Sequence, residues 1–452
     1  MSLPQIPPRP NPFFLFATGI ENSYPTINGG RTRVDQMEAS GHYGQWSRDF
    51  DLVESLGIRF LRMGPPIHRT WIEAGRYDWA FADETMEDIR RRDLVPIVDL
   101  CHFGVPDWIG NFQNPDFPHL FEAYARAFAT RFPWVQFYTP VNEMFICALF
   151  SAKTGWWNEQ LSSDRAFVTA LKHIVAANVL ASRAILDVRP DAIFIQSESA
   201  EYFHALSPDA LRLAETMNAH RFLSLDLNYG HPVDASSYQY LLDNGMTRAE
   251  YEFFQHSELR HHCIMGNDYY ATNEHSVSAS GKVRPSGEIF GFDEIVRQYH
   301  GRYKIPVMHT ETNFDQGAGG DEAVRWLWKQ WANVMRIRND GIPIVGFTWY
   351  SLIDQVDWDS SLRRQAGHIN PRGLFDLERK IRPVGTAYAE LIEQWQSVLP
   401  AQSACLAVPF FLPSEYDEPL AARRRDWIRQ CRANRPHRSG VGNSVWPSQA
   451  AA

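Results

Sequence analysis

Eight short runs rich in apolar and β-branched residues recur along the chain, and longer amphipathic segments separate them. The runs lie at 13–17, 58–64, 95–102, 136–143, 192–198, 263–270, 306–311 and 344–351. Strand-like runs that alternate with helical segments are the pattern of βα units, whose strands pair in parallel. Trp46, Phe50, Val53 and Leu56 fall at helical spacing, and the segments 81–91 and 120–131 behave alike. Ser163 and Asp164 open a long helix that runs to about Leu186 and stops before Arg189-Pro190. Eight such units predict an α/β fold, a (β/α)8 TIM barrel with insertions, over residues 13–399. Residues 1–12 are assigned to an N-terminal extension and 400–452 to a C-terminal extension whose last part is expected to be disordered. The largest insertion, 202–262, is rich in aromatic residues, reads as helical and is expected to cover one side of the barrel mouth.

Two of the runs end in a glutamate, Glu143 on the fourth and Glu311 on the seventh. A carboxylate at the end of a buried strand has no role in the core. In a parallel barrel both would project at the C-terminal mouth, where such barrels do their chemistry. Two facing carboxyl groups can cleave a glycosidic bond, one protonating the leaving oxygen and the other attacking the anomeric carbon.

The totals narrow the alternatives. A net charge of −9 argues against a nucleic-acid partner, because phosphate binding needs a basic surface. No apolar stretch is seen to approach the ~20 residues of a membrane span, so no membrane partner is expected. Fifteen tryptophans fit either a large core or a site where sugar faces stack on aromatic rings. Cys101, Cys147, Cys263, Cys405 and Cys431 show no CxxC spacing and no paired framework, so neither a zinc site nor a disulfide scaffold is indicated. That usage fits a reducing compartment. The Pro-rich first ten residues lack the apolar stretch of a signal peptide, and a cytoplasmic location is expected. The segment 420–434 holds Arg423, Arg424, Arg425, Arg429 and Arg432 beside Trp427, Ile428 and Cys431. It reads either as a helix face packed on the barrel or as a contact for an anionic partner.

At the two glutamates the chain resembles family 1 glycoside hydrolases, the β-glucosidase family. Tyr138-Thr139-Pro140-Val141-Asn142-Glu143-Met144-Phe145 is similar to that family's Thr-x-Asn-Glu-Pro signature. Val307-Met308-His309-Thr310-Glu311-Thr312-Asn313-Phe314 is similar to its nucleophile signature. Residues 349–358 and 373–392 resemble its closing segments, so the likeness spans about 13–396. The resemblance implies that Glu143 is the acid/base and Glu311 the nucleophile. It implies that Arg62 lies beside the nucleophile and keeps it ionised, that Tyr270 hydrogen-bonds it, and that Asn142 and His102 bind sugar hydroxyls.

The likeness breaks around the sugar. Met144 replaces the family's proline, and Gly19 replaces a glutamine that grips the glycone, for which Glu21 or Asn22 could substitute. Asp357 aligns with a glutamate that binds two glycone hydroxyls. Tyr350 aligns with a tryptophan platform, with Trp349 beside it and Trp358 retained. Asp268 stands in place of an asparagine. Substrate contacts are therefore expected from Asn142, His102, Trp349, Tyr350, Asp357, Trp358, Glu21 and Asp268. Arg363 and Arg364 follow Trp358 and read either as a surface pair or as a binder of an anionic sugar. The resemblance implies a retaining β-glycosidase that hydrolyses the non-reducing end of a small glycoside or oligosaccharide through a glycosyl-enzyme, with no metal or organic cofactor. The alternatives are a non-catalytic carbohydrate-binding barrel, a transglycosidase, and a hydrolase of phosphorylated or uronic glycosides.

Overall fold

The computed structural model describes residues 14–317, 319–399, 410–433 and 446–447. The expected extension at 1–12 and the end of the chain, apart from 446–447, lie outside these residues. Eight parallel strands close into a barrel in chain order. They are β1 (Leu15–Gly19), β2 (Phe60–Met63), β3 (Val95–Asp99), β4 (Phe137–Thr139), β5 (Ile193–Ser199), β6 (Cys263–Asp268), β7 (Val307–Glu311) and β8 (Ile344–Trp349). Each strand is buried along its whole length, which is why the sequence shows near-continuous apolar runs rather than alternation.

Several strands end earlier than their runs. β4 stops at Thr139 because Pro140 cannot donate to a ladder. Beyond it the chain is held by neighbouring strand ends: the Asn142 N–H donates to Cys101 O at 3.0 Å and the Glu143 N–H to Ser197 O at 3.1 Å. Glu143 itself sits at φ +38°, a left-handed backbone that a non-glycine residue adopts at a cost of about 1–3 kcal/mol. These contacts turn its side chain into the mouth.

The helices form an outer layer. The one at Asp164–Val188 begins where the Ser163 side chain accepts the Ala166 N–H, and ends next to Pro190. By length and composition alone it could cross a membrane, which corrects the expectation that no apolar stretch approaches that length. It lies instead in the protein, with its apolar window almost wholly buried. The insertion at 202–262 is helical as expected over Leu211–His220, Leu223–Tyr229, Ala235–Asp243 and Arg248–Gln255. Its start differs. Tyr202–Ala205 is a strand that pairs with Glu274–Val277, which pairs in turn with Val283–Pro285, giving a small sheet over the β5 and β6 ends.

The lower end of the barrel is apolar. Leu15, Ala17, Phe60, Val95, Ile97, Phe137, Ile195, Ile264, Met308 and Val345 fill it. Phe410 seals it, its ring edge-on to Phe60 and Phe137 at 5.7 Å each. The Phe411 N–H donates to Gln136 Oε1 at 2.9 Å. The basic helix then runs over Pro419–Ala433. Arg425 is buried, with its guanidinium 4.0 Å from the Tyr416 ring centroid.

Candidate active site

The upper end of the same barrel is filled by charge. Arg62, on β2, is 2% exposed and anchors the group. Its Nη1 donates to Glu311 Oε1 and, at 3.0 Å, to Ser197 Oγ. Its Nη2 donates to Asn142 Oδ1 and, at 2.8 Å, to Asp99 Oδ2. The other Glu311 oxygen accepts the Tyr270 hydroxyl at 2.7 Å. Glu143 and Asp268 complete the cluster: one carboxylate oxygen from each of Glu143, Asp268 and Glu311 lies within 4.8 Å of the other two. An approach of single oxygens this near fits the about 5–5.5 Å spacing of a site whose second carboxyl attacks directly better than the about 6.5–9.5 Å of an inverting one.

Electrostatics separate the two glutamates. Burial, then the negative charges of Asp268 and Glu311, lifts the Glu143 carboxyl well above its usual range. Burial and Asp268 push Glu311 up to about 7, with Arg62, His102 and the Tyr270 hydroxyl pulling the other way. Arg62 lowers this carboxyl as expected, but the net value is still raised. Burial outweighs the ion pair, and Arg62 is also shared with Asp99. The order between the two still holds: Glu311 gives up its proton first and Glu143 keeps one. Asp99 is lowered, because Arg62 and His102 together overcome its burial.

The other expected residues divide into those at this cluster and those turned away from it. Asn142 accepts from Arg62 Nη2 at Oδ1, and its amide nitrogen lies 2.9 Å from His102 Nε2, with a second amide hydrogen left for a sugar hydroxyl. His102 donates from Nδ1 to Asp99 at 2.8 Å, so both its ring nitrogens are engaged within the protein. The Tyr350 ring lies parallel to His102, with centroids 6.2 Å apart, and the Arg62 guanidinium is 5.5 Å from its centroid. A Cβ on Gly19 would come within 2.3 Å of that ring, so the missing side chain of Gly19 makes room for Tyr350. Glu21 is buried, accepting from the Ser23 hydroxyl at 2.6 Å and from Gln355 Nε2 at 3.1 Å, and burial raises its pKa.

Two expectations are corrected. Trp349 is fully buried, its indole N–H donating to Arg372 O at 2.9 Å, so it is core rather than a sugar platform. Asp357 spends its carboxylate on its own loop, accepting the N–H groups of Ala366, Gly367 and His368 at 2.9–3.0 Å. Trp358 is half-buried, edge-on to Trp157 with centroids 6.2 Å apart.

Sequence reasoning missed Asp99, Ser197 and Gln355. Asp99 and Ser197 are polar residues inside otherwise apolar strand runs, and that mismatch was the available signal. Gln355 carried none.

A parallel barrel with two buried glutamates raised to different extents at its mouth, the lower of them clamped by an arginine and a tyrosine, defines a retaining glycosidase-type site. The family model for glycosyl hydrolase family 1 matches residues 19–260, more than half of the chain. The chain belongs to that family and is an O-glycosyl hydrolase, with the family's general activity of a retaining β-glycosidase. It is similar to the 6-phospho-beta-glucosidase AscB of Escherichia coli (strain K12), 21% identical over 361 residues that cover 71% of this chain and 76% of that one. It is 20% identical to a phospho-cellobiase of Klebsiella oxytoca over 70% of this chain and 76% of that one. In fold it is similar to a β-glucosidase from Thermotoga maritima, with a TM-score of 0.71 at 16% identity, covering 85% of this chain and 98% of that chain.

Proposed function

We propose that Glu311 attacks the anomeric carbon of a small β-glycoside while Glu143 protonates the leaving oxygen, and that Glu143 then deprotonates the water that releases the sugar. The observation that carries this reading is the approach of the two carboxyls to within 4.8 Å, with Glu311 held by Arg62 and Tyr270. The two bonds orient the attacking oxygen, and the raised Glu143 keeps a proton to give. Asn142 offers its free amide hydrogen to the sugar 2-hydroxyl, a contact that strengthens in the transition state. The Tyr350 ring, Glu21 and the half-buried Trp358 line the sugar's surroundings. The intact cluster of Glu143, Glu311, Arg62 and Tyr270 disfavours a barrel that only binds carbohydrate. The test is Glu311→Gly: turnover of an aryl β-glycoside is expected to fall by at least about 10⁴-fold, and external azide or formate to restore part of it. Wild-type rates in the variant would overturn the assignment.

A second reading concerns the charge of the sugar. Arg363 and Arg364 are exposed on the loop after Trp358, and the Arg363 guanidinium lies 4.4 Å from the Trp156 ring centroid. Guanidinium groups suit phosphate and carboxylate. The phospho-sugar names of the two relatives from Escherichia coli and Klebsiella oxytoca favour the same direction. Under this reading the substrate is a phosphorylated or uronic glycoside. Rates on charged aryl glycosides equal to or below those on neutral ones would remove it. Transfer to a sugar acceptor instead of water is read from the products of the same assays. The cysteine usage supports a reducing, cytoplasmic setting.

A further inference from the structure

A retaining mechanism uses two carboxyls, and this site has three. Asp268 is fully buried at the end of β6 and hydrogen-bonds to Glu143. The Ser197 hydroxyl lies 2.8 and 2.7 Å from its two oxygens. That hydroxyl has one hydrogen, and its oxygen already accepts from Arg62 Nη1 at 3.0 Å. A guanidinium can only donate, so the Ser197 hydrogen points to Asp268. Asp268 is thus an acceptor on that side. Two carboxylates in contact cannot both ionise, so the hydrogen between Asp268 and Glu143 must come from one of them. Asp268 has the Ser197 donor and, through Ser197, a link to Arg62. The groups that act most strongly on Glu143 are acidic: Asp268, Glu311, Glu198 and Glu201. The proton therefore rests on Glu143.

We propose that Asp268 is a positioning residue that holds the Glu143 proton, forming with it a hydrogen-bonded carboxylic acid–carboxylate pair that keeps Glu143 competent as the general acid. This rests on the reading of Glu143 as acid/base. The groups acting on the pair are Arg62 from β2, Ser197, Glu198 and Glu201 at β5, Tyr270 beyond β6 and Glu311 on β7, with Asp99 and His102 at β3 behind Arg62 and Glu311. Among these Arg62 is the permanent cation, and it is shared with Asp99, Glu311 and Asn142. The negative charge of Asp268 raises both Glu143 and Glu311. The rising limb of a pH–rate profile follows ionisation of Glu311 and the falling limb follows loss of the Glu143 proton, as values belonging to the cluster.

The test is Asp268→Asn, with kcat/KM measured against pH on an aryl β-glycoside. Removing one negative charge is expected to move both limbs to lower pH, by about one unit, with the peak rate reduced less than about tenfold. Unmoved limbs would overturn the proposal. So would a collapse of rate at every pH in a variant that keeps the wild-type melting temperature, which would make Asp268 part of the bond-breaking machinery. If D268N does not fold, Ser197→Ala serves in its place. Loss of the hydroxyl donor makes Asp268 a stronger acceptor, so the pair holds its shared proton more tightly and the falling limb moves to higher pH, opposite to D268N; an unmoved falling limb again counts against the pair. A wild-type protein that turns over no aryl glycoside defeats the functional reading alone. Isotope-edited infrared difference spectra then decide the present point: the wild type should hold a protonated carboxyl at neutral pH that titrates at lower pH in D268N, and identical titrations would contradict it.

Discussion

The two ends of one barrel are built on opposite principles. The lower end holds aliphatic and phenyl side chains and is closed by Phe410. The upper end, on the same strands a few residues later, buries Asp99, Asn142, Glu143, Asp268 and Glu311 around Arg62. Along β2, Phe60 serves the lower end and Arg62 the upper. Burial stabilises at one end, where area removed from water is favourable at roughly 25 cal/mol per Å². At the other it is unfavourable, because charge is removed from water and has to be paired. The lower end therefore supports the fold, and the upper end holds charges in positions that a looser, wetter site would not hold.

This contrast can be broken in several places. Arg62→Met should have the largest effect on both properties. It leaves Asp99 and Glu311 without their shared cation, so unfolding free energy is expected to drop by about 3–5 kcal/mol and kcat by at least about 10³-fold, read by denaturant melts and steady-state rates. Phe410→Ala should separate the two ends. A loss of about 3–5 kcal/mol in stability is expected with kcat/KM within about twofold of wild type. An equal loss of activity would show that the ends are coupled. Glu311→Gln is expected to lose activity yet gain stability, and the gain should depend on pH. The folded Glu311 pKa of about 7 lies above that of an unfolded glutamate. The folded wild type thus binds the proton more tightly, and its stability declines as pH rises from the unfolded value through about 7. The variant should melt above wild type at pH 8, with the gap closing toward pH 4. Trp358→Ala should have the smallest effect, a KM raised about tenfold with kcat little changed, because this half-buried ring borders the site without touching the carboxyl cluster.

The sequence revealed the barrel because its strands are buried on both sides and leave unbroken apolar runs. It did not reveal where those strands stop. β4 stops before Pro140, but the path of the chain beyond it follows the ties of Asn142 and Glu143 to Cys101 and Ser197, contacts between segments far apart in the chain. Glu143, Glu311, Arg62 and Tyr270 were legible as polar residues at the ends of apolar runs, together with the motif likeness. Trp349 and Tyr350 were not separable by type, since neighbouring strand positions point to opposite sides and either ring could have faced the sugar. Asp357 misled because an acid near an aligned tryptophan looks the same whether it faces a ligand or caps its own turn. Phe410 gave no signal at all. A lone aromatic pair in an irregular segment acquires its role only once the barrel offers an open lower end.

The central claim is that Glu311 forms a covalent bond to the sugar while Glu143 holds the proton. Incubation with an activated 2-fluoro β-glycoside, followed by intact mass and peptide mapping, tests it most directly. The account predicts a single added glycosyl mass located on the peptide that contains Glu311. An adduct on any other residue, or no adduct in a preparation that hydrolyses the parent glycoside, would contradict it.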